Sequence, residues 1–578
     1  MKNMFFKALA AALLLGFVIT GIVSAQNFTK MRLIMMADMD NEPDEMQQNV
    51  HMLMYSNTFD VEGLIACTGL YLKTRVAPQL YTQLVGAYAK VYGNLKKHAS
   101  GWPDTNYLYS IVMGSYPGYG KAAVTSAHSS GGSRLIDSAL LKNDPRKIYF
   151  VGNAGTNVLL QALWDLDSAH FGSKGKAQMA AITSKIIVYE NGSQDDCGAW
   201  IAYEYPDISW FRSNGQTYSW GGDGGISAAV GPYTWENYPF TTNGQDSWAA
   251  EHIRNNHGAL GALYPQRHCS GTCWFLEGGG TTPWMGLANH GLADPEHLWW
   301  GGWSGRFSKI RQQNIWSTHS EIKPTEQGYG VTFWMYNSDS EVENWTDPVH
   351  NQAFSGFRVP VWRFRRAMWN DERARMDWCV KEYNQANHNP VAAVNGDTSD
   401  NIITMSLKPG AVLNLDASAT KDPDNDTMRF NWWIYKEAGT YTGTASILNS
   451  ANKVTSFTVP ADANGKEIHV ILEVVDTGNA NSVVGMYDYR RIVINVGTTG
   501  VMNSNANNRM PNRSATVLTA GDQLVLPADF RNRECHLAVF DVAGKCVKQA
   551  VVKNRSISLS KQLSLTPGAY LVKIENVK

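Results

Sequence analysis

The stretch RLIMMADMDNEPDE, residues 32–45, constrains the fold more than any other. An apolar run over residues 33–37 stops at Asp38, and Asp40, Glu42, Asp44 and Glu45 follow at once. Residues 46–55 then carry apolar side chains at helical spacing, and residues 61–66 form a second short apolar run. Strand, acidic loop, helix, strand is the opening of a parallel α/β unit. In such sheets ligands bind outside the carboxyl ends of the strands. Five carboxylates on one loop repel one another, and a hard cation, normally Ca²⁺, would hold them together. The alternative is a solvated acidic turn in which Pro43 starts the next helix. An EF-hand fits poorly, because Pro43 stands where its Gly belongs and Asn49 where its bidentate Glu belongs.

A chain of 578 residues calls for about three domains. Lys2 and Lys7, the apolar residues 8–23 and the small-residue site Val23-Ser24-Ala25 predict a signal peptide over 1–25. No Cys follows that site and no later stretch is long and apolar enough to span a bilayer, so the protein is expected to be secreted or held at the cell surface, with no transmembrane segment after cleavage. A net charge of −1 gives no footprint of nucleic-acid binding. The 20 Trp and 25 Tyr suit stacking on sugar rings, or equally the core of a large α/β domain. Seven Cys leave one thiol unpaired at best. Cys269 and Cys273 are spaced for a small local loop, and Cys535 and Cys546 for a clip across a hairpin.

Residues 26–387 alternate short apolar runs with helical segments, including clear strands over 147–151 and 185–189. From His388 the texture turns to Pro, Gly, Thr and alternating strands, and residues 388–497 read as a β-sandwich. There Asp422, Asp424 and Asp426 suit either a weak Ca²⁺ site or a turn between strands. Residues 498–514, rich in Asn, Gly and Ser, read as a flexible linker, and 515–578 as a small β domain.

The loop after the first strand resembles the signature T-D-I-G-N-D-x-D-D of nucleoside hydrolases. The longer segment NEPDEMQQNVHMLMYSNTFDVEGLIA resembles the nucleoside-hydrolase-like domain of secreted proteins described as cellulose-binding. This resemblance covers roughly residues 30–385 and extends into the following module. It implies an α/β fold with a mostly parallel sheet flanked by helices. It also implies that Asp38 binds Ca²⁺ and activates water, that Asp44 holds sugar hydroxyls, and that Glu45 replaces the last Asp as a metal ligand. Asp40 stands where the signature has Gly. IYFVGNAGTNVLL resembles the segment T-G-P-L-T-N-[VI]: Thr156 and Asn157 match its T-N pair, and Gly152 lies near the residue whose carbonyl binds the metal. An N-cap by Asn153 or Thr156 is compatible with this. In KIIVYENGSQDDCGAW, Gln194, Asp195 and Asp196 resemble the Q-D-D of the cellulose-binding relatives, and Asn191 falls in the hydroxyl-binding region; an N-cap to the next helix is the plainer reading.

Nucleoside hydrolases complete the metal shell with a late Asp, often beside a His. Asp294 matches by order, with His297, Trp299, Trp300, Trp303 and Arg306 around it; the alternative is a structural Trp-Gly plug. After the second strand Cys67-Thr68-Gly69 replaces the expected Asn, which argues against a nucleoside substrate. The sandwich resembles immunoglobulin-like and PKD-like modules. LAVFDVAGKCVK with LSLTPGAYLVKI resembles the sorting domain of type IX secretion substrates, implying that machinery as a partner.

The resulting expectation is a secreted Ca²⁺-dependent hydrolase of a glycosidic bond in a carbohydrate. Asp38 is the catalytic base; Asp38, Glu45, Gly152 and Asp294 hold the metal; Asp44, Asn157, Asn191, Asp195, Asp196, Glu277, His297 and Trp300 contact substrate. Glu277, Asp196 and His297 are the candidates for leaving-group acid. The alternatives are a carbohydrate-binding surface protein without turnover and a nucleoside N-ribohydrolase.

Overall fold

The computed structural model describes residues 30–190, 194–212, 246–268, 274–275, 280–288, 291–294, 296–312, 333–338, 341–348, 351–478, 485–497 and parts of 502–576. Residues 1–25, Asn191, Cys269, Cys273, Glu277 and most of 498–514 lie outside the described residues.

Strand β1 (Met31–Ala37) is buried along its whole length, as a continuous apolar run must be when a parallel strand is covered on both faces. Its one charge, Arg32, is fully buried and paired with Glu62 through two bonds of 2.8 Å, with a further bond to the Ala139 carbonyl. Around β1 an eight-stranded sheet forms from β2 (Phe59–Ala66), β3 (Val112–Gly114), β4 (Ile148–Gly152), β5 (Ile186–Glu190) and β6 (Ser209–Arg212), followed by Phe333–Asn337 and Ser308–Gln312. The order is β3-β2-β1-β4-β5-β6, then those last two strands. Every pair is parallel except the final one. The chain therefore runs from β1 outward through β2 and β3, then returns to the far side of β1 at β4. The β1/β4 gap is the topological switch point, where an α/β sheet opens a crevice at its carboxyl edge.

Helix α1 (Asp44–Met54) starts at that edge, with Asp44 and Glu45 in its first turn, where the helix dipole favours negative charge. Helix α2 (Pro78–His98) covers the same face as α1. Among the described residues no helix is long and apolar enough to cross a membrane.

The C-terminal half is β structure. Met428–Ile434, Glu467–Asp476, Tyr487–Val496 and Ile403–Leu407 form one sheet, and Val412–Asp416 pairs with Val454–Thr458 in another. Leu415, Trp432, Phe457, Val470, Leu472, Ile492 and Ile494 fill the space between them. The larger sheet continues through Met502–Asn503 into Ser514–Gly521, Gly568–Asn576, Cys535–Phe540 and Cys546–Val552. Met502 pairs with Met405 on one side and Leu518 on the other, so part of the expected linker is a strand. The proposed Cys535–Cys546 clip does not form. Cys535 lies opposite Val552 and Cys546 opposite Phe540, at the two ends of the hairpin, and both are free thiols.

Candidate functional site at the switch point

Asp38 follows the last residue of β1 and is fully buried. Among the described residues its carboxylate meets only the Glu45 carboxyl beside it and its own backbone N–H; no donor from any other segment reaches it. Burial, followed by the charge of Asp44, raises the pKa of both carboxyls. Glu45 is held in place by the Glu42 N–H at 3.1 Å. Asp40 adopts φ of +79°, which explains why the signature has Gly at this position: the loop needs the left-handed region, which Asp tolerates. Its carboxylate is paired with Arg75.

The neighbouring strand ends close around this pair. The Cys67 N–H donates to the Ala37 carbonyl at 2.9 Å, and the Asn153 N–H to the Met36 carbonyl at 3.0 Å. At Gly69 the backbone passes so close to Asp38 and Gln194 that a Cβ would strike both side chains. Gln194 donates to the Asn153 carbonyl at 3.4 Å, and Asn153 to Gln48. Among the described residues no donor reaches the buried oxygens Asn153 Oδ1 and Gln194 Oε1. Enclosed carboxylate and amide oxygens with so few donors suit a hard cation, so the residues present fit Ca²⁺. Gly152 lies opposite Met36 and Glu190 at the end of β4.

The other expected site residues make bonds of their own around the crevice. Asp195 is fully inside, accepting from Thr156 Oγ1 at 3.1 Å, the Asn157 N–H at 2.9 Å and the Cys197 N–H at 3.0 Å. It thereby ties together the starts of the helices Asn157–Leu166 and Cys197–Glu204. Burial, then Asp196, pushes its pKa up to about 7. Asn157 donates to Thr68 Oγ1 and to the Gly118 carbonyl, and Asp196 accepts from the Lys121 N–H at 2.7 Å. These three residues hold the loops of the crevice; Asp195 bonds the N–H groups at two helix starts, whereas Asp196 makes no side-chain cap bond to the helix it begins.

Among the described residues Asp38, Glu45 and Asp294 do not converge as one close group of ligands. The oxygens of Asp294 take His297 Nδ1 and the Glu296 N–H, each at 2.8 Å, and its charge acts on Tyr149 and Arg491. Burial lowers the His297 pKa, but Asp294, Glu296 and Glu467 outweigh it and the net shift is upward. Trp300 is 8% exposed, stacked on His297 at 4.1 Å and edge-on to His469 of the sandwich. Arg491 of the sandwich, fully buried, donates to the carbonyls of Leu292, Trp300 and Gly301. Trp303 packs edge-on to Tyr489. The Trp-Gly loop is thus the joint between the α/β domain and the sandwich, and only Trp299 is half-exposed, stacked on Tyr336.

Sequence reasoning missed the polar face of α1. His51, fully buried, bonds Thr281 Oγ1 at 2.9 Å and faces Glu372 at 3.9 Å, and burial drops its pKa to about 3. Gln48 meets Asn153 and abuts Gly280. The signal was present in MQQNVHMLM, a helix whose side toward the sheet edge is amide and imidazole where a core helix carries aliphatics.

Residues 32–307 match the family described as Cellulose-binding Sde182, nucleoside hydrolase-like domain. Residues 412–496 match Cellulose-binding protein Sde0182, C-terminal domain. A solved structure from Saccharophagus degradans, a nucleoside hydrolase-related hypothetical protein associated with carbohydrate metabolism, is 34% identical, with a TM-score of 0.67 over 81% of this chain and 100% of its own. No curated protein matches.

Proposed function

The chain belongs to the cellulose-binding Sde182 family with its nucleoside-hydrolase-like domain, and on that premise we propose that it binds a carbohydrate at the switch-point crevice and hydrolyses a glycosidic bond there with calcium. The observation that carries this reading is Asp38, buried at the end of the central strand with, among the described residues, no donor from any other segment except the Glu45 carboxyl. Asp38 and Glu45 would hold the ion, with amide or carbonyl oxygens of the Gly152–Asn153 turn beside them. Calcium bound there supplies a Lewis acid that polarises oxygen ligands. Asp38 accepts the proton of the attacking water as general base. Asp44, at the mouth of the same loop, takes hydroxyl donors of the ring. Asp195, Asn157 and Asp196 keep the surrounding loops in place.

A second reading, binding without turnover, is favoured by one specific feature. Among the described candidates for leaving-group acid, Asp196 is bonded to the Lys121 backbone and His297 sits in the interdomain joint. Release of reducing ends from a panel of soluble and insoluble glycans, with Asp38→Asn as control, separates the two. Hydrolysis abolished by the substitution supports the enzyme. Retention on cellulose with no hydrolysis of any glycan supports the binding protein. Ribose release from inosine or uridine would replace both with nucleoside hydrolysis.

The proposed route to the carbohydrate is export by the N-terminal signal, followed by type IX sorting through residues 515–578. Mass spectrometry of native surface protein is expected to find a chain starting near Gln26 and lacking that last domain. Full-length chain found only in the periplasm would reject this route.

A further inference from the structure

The sandwich carries a second cluster of carboxylates, far in sequence from the switch point. Asp422, Asp424 and Asp426 each present an oxygen within 4.8 Å of the others, and among the described residues no other group of three or more His, Cys, Asp or Glu converges so closely. The turn is ordered without using all of these oxygens. Asp422 Oδ1 accepts the N–H groups of Asp424 and Asp426, each at 2.9 Å. Asp422 is only 9% exposed, yet its Oδ2 has no partner, and neither has the enclosed Oδ2 of Asp426. Leaving a buried carboxylate oxygen without a donor is costly. Among the described residues the basic group paired with the cluster is His388, which gives its N–H and Nδ1 to Asp424. Burial, reinforced for Asp426 by Asp422 and Asp424, pushes the carboxyls of Asp422 and Asp426 up.

The place of this turn gives it a use. His388 lies at the passage from the α/β domain into the sandwich. Its Nε2 meets His98 Nδ1 of α2 at 3.0 Å, and its ring stacks on Trp378 and Tyr383. Asp424 thus anchors the first residue of the sandwich to the last turn of a helix in the neighbouring domain.

We propose that Asp422, Asp424 and Asp426 bind a calcium ion that locks the domain junction through the Asp424–His388 contact. An all-oxygen set on an irregular turn suits calcium, which tolerates varied geometry, better than magnesium, which demands a near-ideal octahedron. The ion takes the two orphaned oxygens and cancels the repulsion that otherwise works against Asp424 staying on His388. This site is independent of the switch-point pocket.

The experiment uses the full chain with the first pocket disabled by Asp38→Asn and Glu45→Gln. Equilibrium dialysis at about 1 mM free calcium, the weak end of extracellular modules, is expected to leave one equivalent bound. Adding Asp422→Asn and Asp426→Asn, which keep the turn's acceptor oxygens, is expected to remove it. The same two substitutions in the otherwise natural chain must lower bound calcium by one equivalent. Calcium is also expected to slow amide exchange over residues 386–392 in the first protein and not in the second. No calcium on the protein with the natural turn, or calcium retained after both turn substitutions, overturns the proposal.

Discussion

Asp38 and Asp294 are both nearly buried carboxylates on short acidic loops that contain a proline, yet they end in opposite situations. Asp294 has a histidine and a backbone N–H on its own loop, and Arg491 of the next domain bonds the carbonyls around it. Asp38 has, among the described residues, no histidine and no N–H but its own, with a second carboxyl beside it. A joint satisfies its polar groups internally; a ligand site leaves them for the ligand. The same holds for the aromatics, since Trp300 and Trp303, which look like sugar platforms in the sequence, are closed off by the sandwich.

Four experiments test that contrast. The largest effect is expected from Trp300→Ala, which should cost about 3–5 kcal/mol of stability, read by denaturant unfolding, with glycan affinity unchanged while the protein stays folded. A stable variant with weakened glycan binding would erase the distinction between joint and site. Asp38→Asn should do the reverse. Turnover should fall about a hundredfold or more, worth ~2.7 kcal/mol in the barrier, while stability holds or rises, because a buried carboxyl crowded by Asp44 and Glu45 is replaced by a neutral amide. An unchanged rate on any accepted glycoside would remove Asp38 from the chemistry.

The third experiment uses Glu372, a carboxyl with no donor among the described residues, buried on the helix Arg365–Asp377 and facing neutral His51. Burial, then Asp371, pushes its pKa up to about 8 from an ordinary 4.5. The folded protein therefore keeps a proton that the unfolded chain has lost between those values. Stability from this group falls as pH rises from 4.5 to 8, by up to ~1.4 kcal/mol per unit. Glu372→Gln should flatten that slope and leave the variant more stable than the natural chain at pH 8; parallel slopes in urea melts at pH 6 and pH 8 would disprove it. The smallest effect belongs to Trp299→Ala. Loss of its stack on Tyr336 should cost about 1 kcal/mol, and a much larger loss of stability would place Trp299 in the joint with its neighbours.

The parallel sheet was legible because β1 and β2 are apolar runs separated by a segment of helical spacing, and the site at its edge because five carboxylates crowd one loop. Asp40 was legible as an oddity, and φ of +79° supplies its reason. The role of Asp195 was not legible. A Q-D-D beside a helix start reads as a sugar contact or as a cap, and the bonds Asp195 makes involve Asn157 and Thr156, nearly forty residues earlier in the chain. The cysteine clip failed because hairpin register, unknown from sequence, puts Cys535 and Cys546 at opposite ends.

The sequence by itself determined the layers of this protein and the place of its acidic loop, since periodicity and local charge act over a few residues and need no distant partner. Only the tertiary structure decided which polar and aromatic groups remain for a ligand. That depends on what other segments bring: Arg491 reaches the Trp-Gly loop from 190 residues away, and among the described residues no other segment brings an N–H donor to Asp38. Partners of this kind are set by packing between domains, which no local pattern encodes.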